Sequence, residues 1–598
     1  MPDRPPDPTR CRFGWVGWCT AIRPWHLTHV LATALLLWGQ AGYPLLDPDE
    51  GRYGEIPREM LERGDLLSPT LNYVPYWEKP PLFYWLNAAA LHFLGETAFA
   101  VRIGTAVVAV LGLTVAWWLA RVTFGSRAAR WAPAILASSW MYFAVARVPI
   151  IDMLVSVLMA ASLTAWFSSE HSSGGGRVYR WVLSGVFLGL ATLAKGPVAM
   201  VLVAGIIVAY LLLQRRWRHL VPGTATPLFV GAVVAAPWFV AMAREHPGFL
   251  HYFFWVQHVE RFLGSNGTPE HVKPVYYFLV VAWAGFMPWS TLWPGMLVWL
   301  GTRWRGLSPE FRRVAHYLLA WVLVVLVFFS ASTCKLAQYV LPAWWALAVP
   351  VGAWLASRVG PAQMPPAIRR ALGAVGVLLL VLVVSAIAVA GRQHHVALED
   401  ISRPLAVLSL ATTVAAGLFL LVGLPGDPDR RLALLMVAGL LSIFSMVPAY
   451  RVIASQRDLS GLIPSGLMHL PRETPWIIAQ YRCYNQSLSF LTHRRVVLVD
   501  AVSELTLGLE QPDAAEWFLN GEESIGILSA RGPLALVVHS EAADGLSEAY
   551  GLTVLHSNAD RALLLNRAGV GLLHQAASGA PAAPAAPAPA AETGGSSG

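Results

Sequence analysis

Long apolar segments are the feature that most limits what this chain can fold into. About thirteen of them are as long, or nearly as long, as the roughly 20 residues that a helix needs to cross a bilayer. Hydrophobic residues make up 56% of the 598 residues and charged residues only 13%, whereas soluble domains carry about 25% charged residues. The sequence therefore predicts a polytopic α-helical membrane protein. The predicted spans are 25–46, 99–120, 129–146, 152–168, 181–195, 197–213, 225–243, 275–300, 314–331, 338–356, 371–390, 404–424 and 432–449.

Prolines and one glycine predict breaks within this helical pattern. Pro288 and Pro294 predict a kink in the span 275–300, because proline removes a backbone hydrogen bond and clashes with the preceding turn. The sequence Lys-Gly-Pro at 195–197 predicts a tight turn between the fifth and sixth spans. The first apolar run is long enough to span a bilayer, so we expect no cleavable signal peptide.

Positive side chains are distributed unevenly between the two sides of the predicted spans. With a cytoplasmic N-terminus, the segment 1–24 and the cytoplasmic loops hold 21 arginines, more than the longer outer loops. Lys and Arg favour the cytoplasmic loops of membrane proteins. The sequence therefore predicts this orientation, and an odd number of spans places everything after about residue 450 outside. The net charge of +8 belongs to this topology and does not indicate a nucleic-acid partner.

The character of the chain changes after residue 450. Short β-like runs alternate there with polar and helical stretches, which predicts a small extracytoplasmic α/β domain over 451–570. The tail 571–598 is rich in Ala, Pro, Gly and Ser and is predicted to be disordered. The β-like runs are Trp476–Gln480, Val496–Asp500, Leu534–His539, Leu552–His556 and Ala562–Asn566.

The first outer loop, residues 47–98, is long, acidic and aromatic. Asp49 is placed to cap a helix that runs through Glu50 and Tyr53. Lys79 precedes a proline, which favours an extended segment before the next helix. These residues fit two interpretations: a solvated loop with an amphipathic helix on the membrane surface, or a site that uses their charges.

Lysine is rare in this chain, and its positions are informative. Only four of the 43 basic residues are lysines, and Lys79, Lys195, Lys273 and Lys335 all fall on the predicted outer side. They are candidates for places that need a compact ammonium group. Asp152 lies at the outer start of the fourth span. It is either a helix N-cap or a carboxylate that faces a polar cavity, since ionisable groups at membrane depth are costly and tend to be functional.

Two further residue pairs on the outer side have helical spacing. His258 and Arg261 are three residues apart and would share a face of a helix. Lys335 and Tyr339 are four apart and would share a face at the outer end of a span. Both pairs are also explained by side chains that anchor a helix at the membrane interface. The four cysteines are scattered and form no CxxC pair, so no metal or redox motif appears.

Taken in order, these segments resemble a known family. The first loop contains DPDEGRYGEIPREML and then YWEKPPLFYWLN, and the Asp152 segment, HVERF and KLAQYVLP follow. This order is similar to that of bacterial polyprenyl-phosphate-dependent glycosyltransferases, above all the aminoarabinose (lipid A) transferases, which are related to the protein O-mannosyltransferases. The resemblance covers about 25–450 and extends to YNQSLSFLTHRRVVLVD in the outer domain. It implies the GT-C fold.

The resemblance implies an undecaprenyl-phosphate-linked sugar as donor and a lipid or protein acceptor on the outer face of the bacterial inner membrane. No nucleotide sugar is implied, in agreement with the lack of a Gly-rich phosphate loop. We expect a monomer among membrane lipids, and no cofactor except a divalent metal, with zinc as the candidate. The implied catalytic residues are Asp49, Glu50 and Asp152. The implied contacts of the donor phosphate are Tyr53, Tyr76, Lys79, Arg261 and Tyr339, and we add Lys335 because it is an outer lysine. The implied metal contacts are Glu78 and His258.

The chemistry agrees with these residue types. A leaving lipid phosphate gains negative charge, so Lys and Arg should surround it. An attacking hydroxyl needs a carboxylate within hydrogen-bond reach, whereas an acceptor phosphate needs no base. A single displacement inverts the anomeric centre. Gly51 departs from the family pattern, which more often has a polar residue there, and we expect little consequence from it.

Three alternatives stay open at this point. A protein O-mannosyltransferase-like enzyme would share the same motifs and differ in its acceptor. A lipid flippase or secondary transporter would show internal repeats and charge at the middle of the membrane, and the sequence shows neither. A structural membrane protein with an outer domain would have no need of the first-loop residues. The sequence does not distinguish between the sugars that could be transferred.

Overall fold

The computed structural model describes residues 24–264, 271–359 and 427–578 with short gaps, and a few single positions between 366 and 417. The gaps in the last range are 445–446, 448–450, 452–453, 455–456, 469 and 472–473. Several predictions lie outside the described residues: nearly all of the N-terminal segment, most of the spans 371–390 and 404–424, and the tail after residue 578.

Helices make up most of the described chain. The α-helices of six residues or more in the described part are α1 Pro24–Leu37, α2 Asp49–Arg63, α3 Leu82–Leu94, α4 Ala98–Thr123, α5 Ala132–Ala137, α6 Trp140–Val145, α7 Ile151–Ser168, α8 Gly174–Lys195, α9 Val198–Leu213, α10 Trp217–Glu245, α11 Tyr277–Gly285, α12 Trp293–Arg303, α13 Pro309–Ala331, α14 Trp344–Arg358, α15 Pro428–Phe444, α16 Gln486–Thr492, α17 Ser524–Arg531, α18 Ala543–Tyr550 and α19 Arg567–Ser578.

The prediction of a polytopic helical membrane protein is confirmed. Among the described residues, five helical segments are long and apolar enough to cross a bilayer. Almost every residue of α7 is buried, whereas α10 exposes large apolar side chains such as Phe229 and Val233. This contrast makes α7 a central helix and α10 a peripheral one. The five segments are Ala98–Thr123, Ile151–His171, Trp217–Glu245, Pro309–Ala331 and Ala337–Arg358.

Several predicted spans are interrupted. The span 275–300 breaks after Gly285, and a 3₁₀ helix, Trp289–Leu292, follows Pro288, so the predicted kink is confirmed. The predicted span 129–146 consists of α5 and α6, which are separated at Ser138 and Ser139. The tight turn between α8 and α9 is also confirmed, since it consists of Gly196 and Pro197 only.

The chain divides into two compact units that do not follow the predicted domain boundaries. The first outer loop was predicted to belong with the spans, but most of it groups with the C-terminal residues. The first unit comprises Met1–Gln40, Glu78–Leu86 and Arg102–Val452, and the second comprises Ala41–Trp77, Asn87–Val101 and Ile453–Gly598.

The second unit is built on a mixed six-stranded sheet with the order β5-β4-β3-β6-β8-β7. Strands β3, β4, β5 and β6 are parallel to one another, and β8 pairs antiparallel with both β6 and β7. One face of the sheet buries aliphatic side chains such as Leu534 and Leu564. The predicted α/β domain and all five predicted strands are thereby confirmed. The strands are β1 Thr70–Leu71 and β2 Val74–Pro75 in the first loop, then β3 Ile477–Tyr481, β4 Val497–Val499, β5 Phe518–Leu519, β6 Leu534–His539, β7 Thr553–Ser557 and β8 Arg561–Leu565.

The start of the predicted disordered tail is wrong. Residues 571–578 belong to α19, an amphipathic helix that begins at Arg567. The sequence GLLHQ within it supplies apolar residues at helical spacing, and the low-complexity composition begins only after it.

Candidate active site

Three basic and two acidic side chains of the first unit come together from distant parts of the sequence. Arg261 Nη1 lies 3.8 Å from Glu78 Oε2, and Lys79 Nζ lies 3.5 Å from the same oxygen. Lys195 Nζ donates to Asp152 Oδ1. We call these five residues, together with His258 and Tyr339, the cationic cluster.

Helix ends place the second ion pair of this cluster. Asp152 lies in the first turn of α7, and Lys195 is the last residue of α8. A carboxylate is stabilised at a helix N-terminus and an ammonium at a C-terminus, so both charges sit where the helix dipoles favour them. Lys195 Nζ also lies 4.5 Å from the centroid of the Tyr339 ring. Asp152 is not the helix N-cap, which is Ile150, so the capping interpretation is wrong.

Arg261 is firmly held in its charged form. Burial on its own would lower the pKa of its guanidinium, but the interactions with Tyr339 and Glu78 outweigh burial and raise that pKa above its usual range. The same interactions show that Arg261 and Tyr339 are neighbours. The cluster therefore presents three cations against two carboxylates, an excess of positive charge that suits an anionic ligand.

His258 lies beside the same cations but does not add to their charge. Its Nδ1 is 2.6 Å from the carbonyl oxygen of Phe253, and its Nε2 is 3.5 Å from that of Lys195. Burial, with the nearby charges of Lys79 and Lys195, lowers the pKa of His258 to about 4. The imidazole is therefore neutral at physiological pH.

The turn at Gly196 allows this approach of His258. Gly196 has φ +95°, a conformation that side chains disfavour. A Cβ atom added there would lie 2.8 Å from His258 Nε2 and 2.9 Å from the Phe253 ring. Glycine is therefore required at this position both for its backbone angle and for the close contact.

Two predicted helical faces do not exist. Residues His251–Glu260 form a π-helix, whose wider turn separates His258 from Arg261, and the two side chains reach different partners. Lys335 lies in a non-helical segment before the 3₁₀ helix Ala337–Ala343, so it shares no helical face with Tyr339. The buried Lys335 ammonium donates to the carbonyl of Ser332 instead, and its predicted contact with the donor phosphate has no support from this geometry.

The described residues do not fit a resident metal ion. They contain no group of three or more His, Cys, Asp or Glu side chains close enough to share a metal. Glu78 already faces two cations, and His258 would be the only other protein ligand. Protein metal sites normally supply at least three ligands. The two predicted zinc contacts, Glu78 and His258, are therefore not part of a metal-binding set among the described residues.

The second unit holds a separate polar network around Glu504. Arg52 Nη2 lies 2.7 Å from Glu504 Oε2, Tyr76 donates to the same carboxylate over 3.2 Å, and Gln486 Nε2 donates to it over 2.6 Å. Arg52 Nη1 also donates to Asp49 Oδ1 over 3.1 Å. Burial opposes the charge of Arg52, but Tyr76, Glu504, Tyr53 and Asp49 together raise its pKa well above its usual range. We call this the Glu504 network.

Asp49 and Glu50 have different surroundings. The N-cap of α2 is Pro48, so Asp49 is not a helix cap, and its side chain is 42% exposed and paired with Arg52. Glu50 is completely buried, and its carboxylate accepts a hydrogen bond from the backbone N–H of Leu46. Asp49 is thus accessible to a ligand, while Glu50 stabilises the turn before α2.

A partly buried carboxylate, Asp47, connects the start of α2 to the C-terminal residues of the same unit. Asp47 accepts hydrogen bonds from the backbone N–H of Ser487 over 2.9 Å and from the Ser487 hydroxyl. Burial raises the pKa of Asp47 to about 6, partly offset by these hydrogen bonds. A Cβ atom on Gly51 would lie 2.2 Å from Asp47 Oδ1 and 2.3 Å from the Ser487 nitrogen. The departure at Gly51 therefore has a clear consequence, because glycine lets α2 and α16 approach this closely.

Sequence reasoning missed several members of both sites. Lys195 was noted only as an outer lysine, although its rarity and its place before a glycine were usable signals. Glu504 lies in a segment without a motif. Gln486 lies in the stretch YNQSLSFLTHRRVVLVD, but only the tertiary structure brings both residues to Arg52 and Tyr76. The predicted residues Tyr53 and Tyr76 lie with this network, whereas Glu78, Lys79, Asp152, His258, Arg261 and Tyr339 belong to the cationic cluster.

Comparison with solved structures identifies the class of fold. The crystal structure of ArnT from Cupriavidus metallidurans bound to undecaprenyl phosphate superimposes with a TM-score of 0.78 at 24% sequence identity, covering 93% of this chain and 99% of that one. A family model described as dolichyl-phosphate-mannose-protein mannosyltransferase matches residues 78–242. The chain is a membrane protein with the GT-C fold.

Comparison of sequences gives the family. The undecaprenyl phosphate-alpha-4-amino-4-deoxy-L-arabinose arabinosyl transferase of Erwinia tasmaniensis is 32% identical over 486 residues, which cover 80% of this chain and 85% of that protein. The enzyme of the same name from Edwardsiella ictaluri is 28% identical, covering 84% of this chain and 90% of its own. The chain belongs to this family of undecaprenyl phosphate-aminoarabinose arabinosyl transferases.

Proposed function

We propose that the cationic cluster binds the phosphate of an undecaprenyl-phosphate-linked sugar. The observation that carries this proposal is the meeting of three cations, Lys79, Lys195 and Arg261, which form ion pairs with two carboxylates, Glu78 and Asp152, in the described part of the chain. A phosphodiester supplies the missing negative charge and accepts several charge-assisted hydrogen bonds at once. The relatives named above are arabinosyl transferases that use such a donor, which agrees with this assignment.

We infer that the transferred sugar is 4-amino-4-deoxy-L-arabinose and that the acceptor is lipid A. The donor sugar follows from the names of the relatives, and the acceptor from the resemblance to the lipid A transferases. The chain then resides in the bacterial inner membrane with a cytoplasmic N-terminus, as the distribution of arginines predicts. The second unit lies on the outer side in this orientation.

The reaction is a single displacement at the anomeric carbon. The acceptor oxygen forms a bond to C1 from the face opposite to the leaving group, and the bond between C1 and the phosphate oxygen breaks with its electron pair on the oxygen. Lys79 and Arg261 stabilise the charge that develops on the leaving undecaprenyl phosphate. The anomeric configuration inverts, and no enzyme nucleophile is needed.

We assign Asp49 as the carboxylate that interacts with the acceptor. Its side chain is accessible, and its ion pair with Arg52 holds it in position. With a hydroxyl acceptor it would accept the proton as the new bond forms, and with a phosphate of lipid A it would only orient the acceptor. Asp152 keeps Lys195 in place through their ion pair and is assigned a positioning role.

A transfer assay with the purified chain tests this function. Undecaprenyl-phosphate aminoarabinose and lipid A are incubated in detergent without ATP or an ion gradient, and mass spectrometry follows the lipid A. We expect lipid A to gain one aminoarabinose unit. Asp49→Asn keeps the size of the side chain and removes its charge, and Arg52 retains Glu504 as a partner. We therefore expect the turnover of this variant to fall while its donor binding survives. With a hydroxyl acceptor, loss of base catalysis alone would lower the turnover about 10²- to 10⁴-fold.

Two controls make the assay decisive. Lipid A without its phosphates should gain no sugar if a phosphate is the acceptor, and a serine- and threonine-containing peptide tests the mannosyltransferase-like alternative. An unchanged lipid A mass with intact, donor-bound protein would refute the assigned acceptor. A turnover near that of the wild type for Asp49→Asn would refute the role of Asp49.

A further inference from the structure

A large apolar groove of the first unit lies apart from the cationic cluster. It has a volume of about 620 Å³ and is lined, in the described part of the chain, by side chains of α11, α12, α13 and α14. Cavities of roughly 300–1,000 Å³ with mainly apolar walls are typical ligand sites. Trp293, Trp344 and Trp354 are among the lining residues, and Arg127 is the one charged side chain among those that line it in the described part of the chain.

Basic side chains gather at one end of this groove. Arg127 lines the groove itself, and the Arg358 guanidinium lies 4.9 Å from the centroid of the Trp299 ring, which is also in the wall. Arg303, at the end of α12, is close enough to Arg358 for their charges to repel each other. The combination of an apolar channel with cations at one mouth matches an acyl chain that ends in an anionic head group.

These three arginines lack the carboxylates that neighbouring basic residues have. Within the described residues, no ion pair involves Arg127, Arg303 or Arg358, whereas Arg130 lies 3.9 Å from Asp429 and Arg313 lies 3.4 Å from Glu310. Two guanidinium groups held close together without a counterion are unfavourable unless an anion sits between them. The fold therefore leaves positive charge at this end of the groove, which an anionic ligand can neutralise.

The groove mouth is too far from the cationic cluster to serve the same phosphate. Tyr339 lies near the start of the segment Ala337–Arg358, and Arg358 is its last residue. A helical segment of this length extends roughly 30 Å, about the thickness of the hydrocarbon core. The arginines thus lie at the opposite membrane face from the cationic cluster.

We propose that this groove binds an anionic glycerophospholipid, such as phosphatidylglycerol, from the leaflet opposite to the donor phosphate. One acyl chain occupies the apolar groove, and the head-group phosphate contacts Arg127 and Arg358. Basic pockets between membrane helices on the cytoplasmic side bind anionic head groups in this way. The lipid is a structural ligand and takes no part in sugar transfer.

Native mass spectrometry of the full-length protein tests the proposal. Phosphatidylglycerol and phosphatidylcholine with the same acyl chains are added in equal amounts to delipidated protein. We expect preferential retention of phosphatidylglycerol, and the double variant Arg127→Gln, Arg358→Gln should weaken this retention roughly tenfold or more. The matched control is Arg180→Gln with Arg218→Gln, two arginines of the same predicted membrane face that do not line the groove, and it should bind as the wild type does.

A second variant tests the apolar wall and does not depend on the arginines. Ala315 lines the groove from α13, and Ala315→Phe would fill part of it. It should reduce phosphatidylglycerol binding while the thermal unfolding temperature stays near that of the wild type. Three results would each overturn the proposal. The first is equal phosphatidylglycerol binding by the wild type and the folded variants, and the second is equal retention of phosphatidylcholine and phosphatidylglycerol. The third is displacement of phosphatidylglycerol by undecaprenyl phosphate.

Discussion

A single carboxylate, Glu78, faces both Lys79 and Arg261, which come from segments about 180 residues apart. Two cations that share one counterion retain positive potential, and an incoming phosphate would contact both. The energetic contributions of the two residues should therefore depend on each other. The pair is the most direct test of the proposed donor site at the level of single residues.

Lys79→Ala and Arg261→Ala should each lower the initial rate with the polyprenyl-phosphate sugar by about 10- to 100-fold. Each variant loses a charge-assisted hydrogen bond to the phosphate, and such a bond contributes about 1.5–3 kcal/mol. The double variant should be less impaired than the product of the two single effects. Lys79→Arg should also be impaired, because a planar fork does not replace a compact ammonium. Arg244→Ala, an exposed arginine of α10, is the control and should behave as the wild type. Small, strictly additive effects with a fully active Lys79→Arg would show that no shared phosphate site exists.

At the scale of elements, hydropathy predicted where the described spans lie, and prolines predicted the kink in 275–300 and the turn at 196–197, but the helix type of two segments could not be predicted. The π-helix at His251–Glu260 and the 3₁₀ helix at Ala337–Ala343 have no distinctive sequence period. Their geometry depends on tertiary contacts, for example the approach of His258 to the carbonyl of Lys195. The predicted α-helical faces are therefore wrong for Arg261 and Lys335, although the structure brings most of the predicted residues of the first unit together in the cationic cluster.

The tight turn between α8 and α9 gives a prediction at this scale. Gly196→Ala should lower the thermal unfolding temperature in detergent, because a side chain at φ +95° costs about 1–3 kcal/mol and the new Cβ would meet His258 and Phe253. Gly248→Ala is the matched control: its φ is +94°, and a Cβ there would meet nothing within 4 Å. We expect the Gly196 variant to be the less stable and the less active of the two. Equal losses would mean that only the backbone angle matters.

At the scale of the whole molecule, the division into units could not be predicted from the sequence. Composition separated the apolar spans from the C-terminal domain, but the first loop has no compositional signal that ties it to residues 453–578. Asp47 and Asn72 make those contacts, Asp47 with Ser487 and Asn72 with the backbone of Val496. Pairs more than 400 residues apart in the chain leave no periodic pattern.

The stability of the second unit should depend on pH through Asp47. Its pKa in the folded protein is about 6, above the ordinary value of 3.8, so the folded state binds the proton more tightly than the unfolded state. The contribution of Asp47 to the free energy of unfolding is thus full below about pH 4 and is lost as the pH rises through about 6. Hydrogen-exchange protection of residues 486–492 should be higher at pH 5 than at pH 7.

Asp47→Asn mimics the protonated carboxyl and should remove most of this difference in protection. Asp544→Asn, an exposed residue of α18, should leave the pH dependence as it is in the wild type. If the hydrogen-exchange protection of Asp47→Asn still falls from pH 5 to pH 7 by the same factor as in the wild type, another group causes the pH dependence.

The assembly of the second unit from three separate stretches of chain has a consequence for biosynthesis. Ala41–Trp77 and Asn87–Val101 leave the ribosome early, but the residues that complete their hydrogen bonds follow only after Ile453. At 5–20 residues per second, the roughly 350 intervening residues take about 20 to 70 s to synthesise. During that interval the first loop lacks the residues that complete its hydrogen bonds. A nascent chain released before residue 486 would leave Asp47 and Arg52 without Ser487 and Glu504, so quality control of this enzyme could detect premature termination at the first loop.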